Sequence, residues 1–331
     1  MVSMDSLVRV EGLKKYFPVR RGLIGSLFSR GGIFIRAVDD VSFDIASGET
    51  LGLIGESGSG KTTVGRLLVR LLEPTEGRIF FDGEDITLLS GKELRERRRK
   101  FQIIFQDPMA SLCPHMKIGE AVRHPLVIHG IGTEREQKNK VLKMLERMGL
   151  SPPDAFYDKY PHELSGGQRQ RVVIARALIL RPKFVVADEP LSMLDVSVRA
   201  KLLELMIELK RELNLTYLFI THDLSTAKYI CDKIAVMYLG KIVEFGRLRD
   251  LYLYPAHPYT KALLSAIPVP DVKAKRGEIL LSGEIPNPID LPSGCRFHPR
   301  CPSAKEECLV KEPEMREVSS EHWVACHFPL V

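Results

Sequence analysis

Apolar positions along this chain follow two alternating rhythms. Leu51–Ile54 is a short apolar run that enters a glycine-rich stretch, and Ile79–Phe81, Ile103–Phe105, Phe184–Ala187 and Thr216–Thr221 are further runs of strand length. Between them lie segments with a helical period. Lys61–Leu72 places Leu67, Leu68, Leu71 and Leu72 on one face, with Pro74 as a stop, and Val198–Leu213 repeats in the same way. Residues 110–180 are mostly helical in pattern, the last helix running to about Leu180 before Pro182. This rhythm holds to about residue 260 and predicts an α/β domain with a largely parallel sheet. It stops near residue 262. The tail is rich in proline, among them Pro268, Pro270, Pro286, Pro288, Pro292, Pro299, Pro302 and Pro313, which leaves little room for long helix. A small irregular module is expected there. Residues 19–36 stand apart, with apolar residues spaced by arginines and glycines. They read as a surface hairpin or loop, with a membrane-facing role as the alternative.

Composition narrows the class. With 331 residues and 44% hydrophobic content there is ample material for a core, which excludes wholesale disorder. The length suggests two domains, or one large domain with an appendage. No apolar run approaches the roughly 18–20 residues of a membrane helix, and the charged N-terminal stretch has no signal-peptide core, so a chain that neither spans a bilayer nor is secreted is expected. The net charge of +6 suits an anionic ligand or a membrane surface without proving either. The densest basic run, Arg95–Lys100, reads first as a solvated helix face.

The glycine-rich stretch carries chemistry. Gly55-Glu-Ser57-Gly58-Ser59-Gly60-Lys61-Thr62 matches G-x-x-x-x-G-K-[ST], and it lies after an apolar strand and before a helix, as that motif requires. Glycines let backbone N–H groups turn inward onto phosphate oxygens, and a helix N-terminus adds its positive end. Lys61 would reach the β- and γ-phosphates, the Thr62 hydroxyl would ligate Mg²⁺, and Thr63 is expected among the nucleotide-binding residues. The apolar strand Phe184–Ala187 delivers Asp188 to the metal, and Glu189 follows directly, where a carboxylate can take a proton from attacking water.

A second anion-binding pattern lies twenty residues upstream of Asp188. Leu164-Ser165-Gly166-Gly167-Gln168 opens a helix with a serine and two glycines. With this motif the chain resembles the nucleotide-binding subunits of ABC transporters over nearly its whole length. The resemblance implies a P-loop NTPase (RecA-like) core with an inserted helical subdomain at about 110–180, in a nucleotide-binding domain of residues 1–261. It implies ATP and Mg²⁺ as ligands, and a head-to-tail pair of such domains in which Ser165, Gly166, Gly167 and Gln168 face the ATP held by the partner. By the same resemblance Tyr16 stacks on adenine (Phe17 being the fallback), and Gln106 senses Mg²⁺ and the membrane subunits. Asp195, in Ser192-Met193-Leu194-Asp195, belongs to the D-loop, with Met193 in place of the commoner alanine. His222, in Thr221-His222-Asp223, contacts the γ-phosphate. Glu189, His222 and Lys61 form the implied hydrolytic set, and Thr62, Gln106 and Asp188 the implied Mg²⁺ set.

The tail narrows the resemblance. His257-Pro-Tyr-Thr-Lys-Ala-Leu-Leu-Ser-Ala-Ile-Pro268 and Gly294-Cys-Arg-Phe-His-Pro-Arg-Cys-Pro302 are similar to segments of the ATPases of oligopeptide and dipeptide importers, closest to the F-type subunit. Peptide uptake then follows as the expected activity, with nickel or oligosaccharide as alternative cargo. Expected partners are a D-type ATPase paralogue, two transmembrane permease subunits and, indirectly, an extracellular binding protein. The expected place is the cytoplasmic face of the membrane. A non-transport ABC ATPase is the rival class. The chromosome type would need a long coiled coil between the two glycine motifs, the translation type a second ATPase domain, and a nucleic-acid partner a larger basic surface. No nucleic-acid partner is expected.

Six cysteines complete the picture. Cys113 and Cys231 read as packed thiols. Cys295, Cys301, Cys308 and Cys326 are spaced C-x₅-C-x₆-C-x₁₇-C within the tail module, residues 262–331. No tight C-x₂₋₄-C knuckle of the usual zinc site is present. Loose spacing, with Pro302 directly after Cys301, suits a [4Fe–4S] cluster better, and the resemblance points the same way. Zinc, disulfides and free thiols stay open. His298 and His327 flank the cysteines and are expected to hydrogen-bond nearby rather than ligate. Such a staple would hold together a tail with little core.

Overall fold

A computed structural model describes residues 6–19, 33–267 and 283–330. Most of the 19–36 segment lies outside the described residues, so its hairpin and membrane-facing readings receive no structural account; Pro268 and Pro270 of the tail also lie outside them. The strands, in chain order, are β1 (Val8–Pro18), β2 (Phe34–Ile45), β3 (Thr50–Ile54), β4 (Glu76–Phe81), β5 (Glu84–Asp85), β6 (Phe101–Ile104), β7 (Phe184–Asp188), β8 (Thr216–Thr221), β9 (Lys233–Tyr238), β10 (Lys241–Arg247), β11 (Arg316–Ser319) and β12 (His322–Val324). Two compact units divide the chain. One contains residues 1–45, 51–87 and 221–331, the other residues 46–50 and 88–220.

In the first unit, β2–β1–β4–β5 form an antiparallel sheet. The β1–β2 ladder runs from Val8↔Ile45 to Pro18↔Phe34, with register shifts between Val10 and Leu13 and again near Lys15. Its buried face carries Val8, Val10, Leu13, Val38, Val41, Phe43 and Ile45. A second set runs β11–β12–β10–β9–β3. There β3 and β9 are parallel, β9 and β10 form an antiparallel hairpin, and β12 from the tail pairs with β10. The expected helix Lys61–Leu72 is shorter, spanning Lys61–Leu68. Arg70 turns to φ 53°, its Nε donates to the Ile86 carbonyl at 3.0 Å, and Leu71 is left 47% exposed.

In the second unit β6, β7 and β8 are parallel neighbours in register, Phe101↔Phe184 and Phe184↔Thr216 starting the two ladders. All five residues of β7 and all six of β8 are buried, which explains why both read as unbroken apolar runs. The expected helical stretch contains helices Ile118–Ile128, Glu134–Arg147 and Gly166–Leu178. Val196–Leu213 is helical as the periodicity predicts.

The basic run has a local explanation. Arg95, Arg97, Arg99 and Lys100, with Arg181 and Lys183, line an open cavity of about 750 Å³. Helices Gly91–Arg97, Ile118–Ile128 and Gly166–Leu178 all end around it, and Arg95 Nη2 donates to the Ile128 carbonyl at 2.6 Å. Cations offset the negative ends of helices. One expectation fails: Cys113 is exposed rather than packed, whereas Cys231 is buried. Among the described residues no helix is long and apolar enough to cross a membrane.

Candidate active site

The phosphate loop belongs to the first unit. β3 is wholly buried and delivers Gly55 to the loop. Gly60 is the N-cap of helix Lys61–Leu68, with φ 105°, and a Cβ there would run into the Ala37 carbonyl oxygen. Gly55 is equally confined, by the Met237 carbonyl oxygen. Only glycine lets the backbone pass these points. Ser57 and Gly58 are exposed at the loop tip, Ser59 is buried, and Thr62 and Thr63 are half-buried. The Lys61 ammonium bridges the loop, donating to the carbonyls of Gly55 and Glu56, each at 2.8 Å, and to Ser59 Oγ at 3.3 Å.

Tyr16, on β1, is half-buried, with the Arg36 guanidinium 5.7 Å over its ring. Its hydroxyl donates to Asp39. Burial first, then this hydrogen bond, pushes the Tyr16 hydroxyl up to about 12. Asp39 also accepts from Arg296. Against the upward push of burial, Tyr16 and Arg296 hold the Asp39 carboxyl below its ordinary range. His222 follows β8 and is exposed. Asp223 caps the next helix, Leu224–Ile230, accepting from Ser225 N at 2.9 Å.

The second unit holds the carboxylates. Asp188 is the last residue of β7 and is buried. Glu189 turns to φ 45°, a backbone state uncommon for a non-glycine residue. Its own N–H donates to the Ile220 carbonyl at 3.0 Å, its carbonyl accepts from Ser192 Oγ at 3.0 Å, and its carboxylate accepts from Gln106 Nε2 at 3.0 Å. The structure thus joins Gln106 to Glu189. Ser165 and Gln168 form a reciprocal capping box at the start of helix Gly166–Leu178: Ser165 Oγ accepts from Gln168 N at 3.3 Å, and Gln168 Oε1 from Ser165 N at 3.0 Å. Ser165 and Gly166 are exposed, while a Cβ on Gly167 would meet Val198 Cγ1 at 2.6 Å. Asp195 caps helix Val196–Leu213, accepting from Val198 N at 3.0 Å and Ser197 Oγ at 2.8 Å. These bonds hold its carboxyl low.

Cys295, Cys301, Cys308 and Cys326 all line one small cavity of about 10 Å³, together with His257, Phe297, His298 and His327. All four are free thiols, and burial pushes the Cys295 thiol up to about 11. The thiols ring the cavity without converging on a point: among the described residues no group of three His, Cys, Asp or Glu side chains could hold a metal ion as placed. His298 Nδ1 lies 3.0 Å from the Cys295 carbonyl, and His327 Nε2 lies 2.8 Å from the Lys311 carbonyl.

Two residues that carry no motif touch the loop, both through Glu56: Tyr259 and Arg300. Arg296 reaches Asp39, the partner of Tyr16. The signal available in the sequence was Glu56 itself, an acid inside an anion-binding loop.

Residues 38–192 match the ABC transporter family, and residues 243–308 match the oligopeptide/dipeptide transporter C-terminal region. The chain is 49% identical to the oligopeptide transport ATP-binding protein AppF of Bacillus subtilis, over 98% of each chain. It is 47% identical to the dipeptide transport ATP-binding protein DppF of Haemophilus influenzae, over 97% of this chain and 96% of that one. A dimeric ATP-binding cassette, solved in a post-hydrolysis state with ADP and Pi, matches 73% of this chain and 99% of its own at 30% identity, with a TM-score of 0.64. Phosphate loop, strand-end carboxylates, serine–glycine helix start and tail agree with these likenesses: the chain is an ATPase and belongs to the ABC transporter ATP-binding proteins, in the branch that carries the oligopeptide/dipeptide transporter C-terminal region.

Proposed function

We propose that this chain is the F-type ATPase subunit of an importer of oligopeptides or dipeptides. It would work at the cytoplasmic face of the membrane beneath two permease subunits that receive cargo from an extracellular binding protein. The names of AppF and DppF support the cargo and the subunit type. In this reading residues 1–261 are the nucleotide-binding domain, with its helical subdomain at about 110–180, and residues 262–331 are the cysteine-bearing module. A D-type paralogue completes the working pair. Support for a partner comes from the solved dimer and from apolar side chains left in water beside Asp195: Met193 is 62% exposed and Val196 80%.

The hydrolytic role rests above all on Glu189, whose carboxylate is fixed by Gln106 at the end of β7. Phosphoryl transfer needs little covalent help from protein; it needs positioning and charge stabilisation. The loop N–H groups and Lys61 supply cations and donors for the phosphates. Tyr16 offers a ring to adenine. Ser165, Gly166 and Gly167 complete the site of the ATP held by the partner, and His222 contacts the γ-phosphate of the ATP held by this chain. Glu189 accepts the proton of the attacking water. The Thr62 hydroxyl, the Gln106 amide and the Asp188 carboxylate are oxygen donors of the kind Mg²⁺ takes; when bound, the ion neutralises charge on the phosphates. Replacing Glu189 with glutamine is expected to leave ATP binding intact and slow phosphate release roughly 10²–10⁴-fold. Retained turnover in that variant would overturn the assignment.

We propose further that Cys295, Cys301, Cys308 and Cys326 would hold a [4Fe–4S] cluster, each thiolate serving one iron. What supports the reading is the donor set, four thiols lining one cavity, and their loose spacing, without the tight knuckle of the usual zinc site. When bound, the cluster would staple the tail. His298 and His327, already hydrogen-bonded to backbone carbonyls, would hold its surroundings.

A further inference from the structure

A carboxylate inside a phosphate loop is an electrostatic problem. Glu56 follows Gly55 directly, and its charge opposes any polyphosphate the loop receives. The structure answers it from 244 residues away. Arg300 Nη1 and Nη2 donate to Glu56 Oε2 and Oε1 at 2.6 and 3.0 Å, a bidentate pair. The arginine is 7% exposed and the glutamate 27%. The same residue is held at two more points: Glu56 N donates to Tyr259 Oη at 2.9 Å, and Lys61 Nζ donates to the Glu56 carbonyl.

Arg300 does not act alone. Four residues earlier, the buried Arg296 donates to the Leu239 carbonyl at 2.5 Å and to Asp39. Asp39 in turn accepts from the Tyr16 hydroxyl. Between the two arginines, Phe297 is fully buried, its ring 5.2 Å from that of Tyr238 and 5.3 Å from that of Tyr259. Cys295 and Cys301 bracket the segment and face the thiol cavity. The turn is closed by Arg300 N donating to the Phe297 carbonyl at 3.0 Å.

We propose that the segment between Cys295 and Cys301 is a working part of the nucleotide site: Arg300 neutralises and holds Glu56 of the phosphate loop, and Arg296 holds Asp39 and through it Tyr16. Both arginines are positioning residues, since neither is required to touch ATP. The proposal rests on the ATPase reading of the loop. It makes a tail that carries no nucleotide motif a determinant of ATP affinity, on the phosphate side through Arg300 and on the base side through Arg296.

The test is the Kd of the full chain for ATP and for inorganic triphosphate, by calorimetry, in wild type and four variants. Arg300→Gln leaves Glu56 uncompensated and is expected to weaken both ligands alike, by about tenfold. Glu56→Gln, which removes the repelling charge, is expected to bind both at least as tightly as wild type. The double variant Glu56→Gln/Arg300→Gln is expected to recover to within about threefold of wild type, a rescue that a purely structural role would not give. Arg296→Gln is expected to weaken ATP while sparing triphosphate. An Arg300→Gln chain within twofold of wild type, or a double variant no better than Arg300→Gln, overturns the proposal. Should Arg300→Gln fail to fold, Glu56→Gln decides: a tenfold loss there overturns it. A wild-type chain that does not bind ATP overturns the ATPase reading itself. ATP binding with an indifferent Arg300 overturns this proposal alone.

Discussion

Replacing Ser165 with alanine separates two roles that one hydroxyl carries. Ser165 Oγ accepts from Gln168 N at 3.3 Å, long for such a bond. Its loss therefore belongs at the low end of the range for an N-cap, about 0.5–1 kcal/mol. The reciprocal bond, Gln168 Oε1 from Ser165 N at 3.0 Å, does not use the hydroxyl and survives. At roughly 2–4 °C per kcal/mol for chains of 150–250 residues, the thermal midpoint should fall by only about 1–4 °C. A chain so little destabilised is still almost wholly folded at 25 °C. If the hydroxyl also stabilises the γ-phosphate of ATP on the partner, the rate effect is of another order. One lost donor to a transferring group costs about 10²–10³-fold in turnover. The assay is phosphate release at 25 °C by the assembled transporter, beside a thermal melt of the same preparation. A melt lowered by a few degrees with turnover within twofold of wild type would show that Ser165 is a helix cap and nothing more, and would sink the partner-site role.

Gly60→Ala places a Cβ against the Ala37 carbonyl at φ 105°, so ATP binding should weaken more than tenfold while the far-ultraviolet dichroism stays unchanged; calorimetric binding within twofold would refute the loop assignment. His257 is fully buried, and burial lowers its imidazole to about 4. Between about pH 6.5 and 4 the unfolded chain then binds a proton that the native chain does not, so stability falls as pH falls across that window, by up to about 1.4 kcal/mol per unit. Urea midpoints at pH 7 and pH 5 should therefore drop more in wild type than in His257→Gln, and equal drops would contradict a buried neutral imidazole. Purification without oxygen should yield about four iron and four acid-labile sulfide per chain, with iron lost in Cys301→Ser; one zinc and no iron would replace the cluster by a zinc module.

What could be read from the sequence was local. β8 occupies Thr216–Thr221 as its apolar run predicts, and β7 extends the predicted Phe184–Ala187 by one residue, to Asp188. Both strands are buried on two faces and need no alternation to be seen. β1 and β2 escaped because their alternation is broken: the ladder slips between Val10 and Leu13, where Gly12 takes φ 55°. A period of two cannot be followed across a bulge. The Lys61–Leu68 helix was over-read for the opposite reason. Leu71 and Leu72 keep the helical spacing, but Arg70 has already left helical backbone to reach Ile86. Motif residues were legible wherever one loop or one helix start contains them, as in Gly55–Thr63 and Ser165–Gln168.

Pairings across the chain are another matter, and Glu56 shows where the limit falls. That an acid stands one residue into a phosphate loop is visible in the sequence, and electrostatics alone says it demands a cation. Which cation is not visible. The chain has 48 lysines and arginines, and nothing in their spacing singles out Arg300. What selects it is a turn closed between two cysteines, an aromatic cluster under that turn, and a hairpin at Leu239–Gly240 whose carbonyl takes Arg296. Arg296 and Arg300 are four residues apart; one reaches Asp39, the partner of Tyr16, and the other reaches Glu56 of the phosphate loop. A tail built only to be stapled would need neither guanidinium buried. Two buried cations, each committed to a carboxylate on or beside the loop, cost desolvation that a merely structural turn could avoid with apolar residues. That cost is the physical reason to look for their effect in ATP affinity rather than in stability alone.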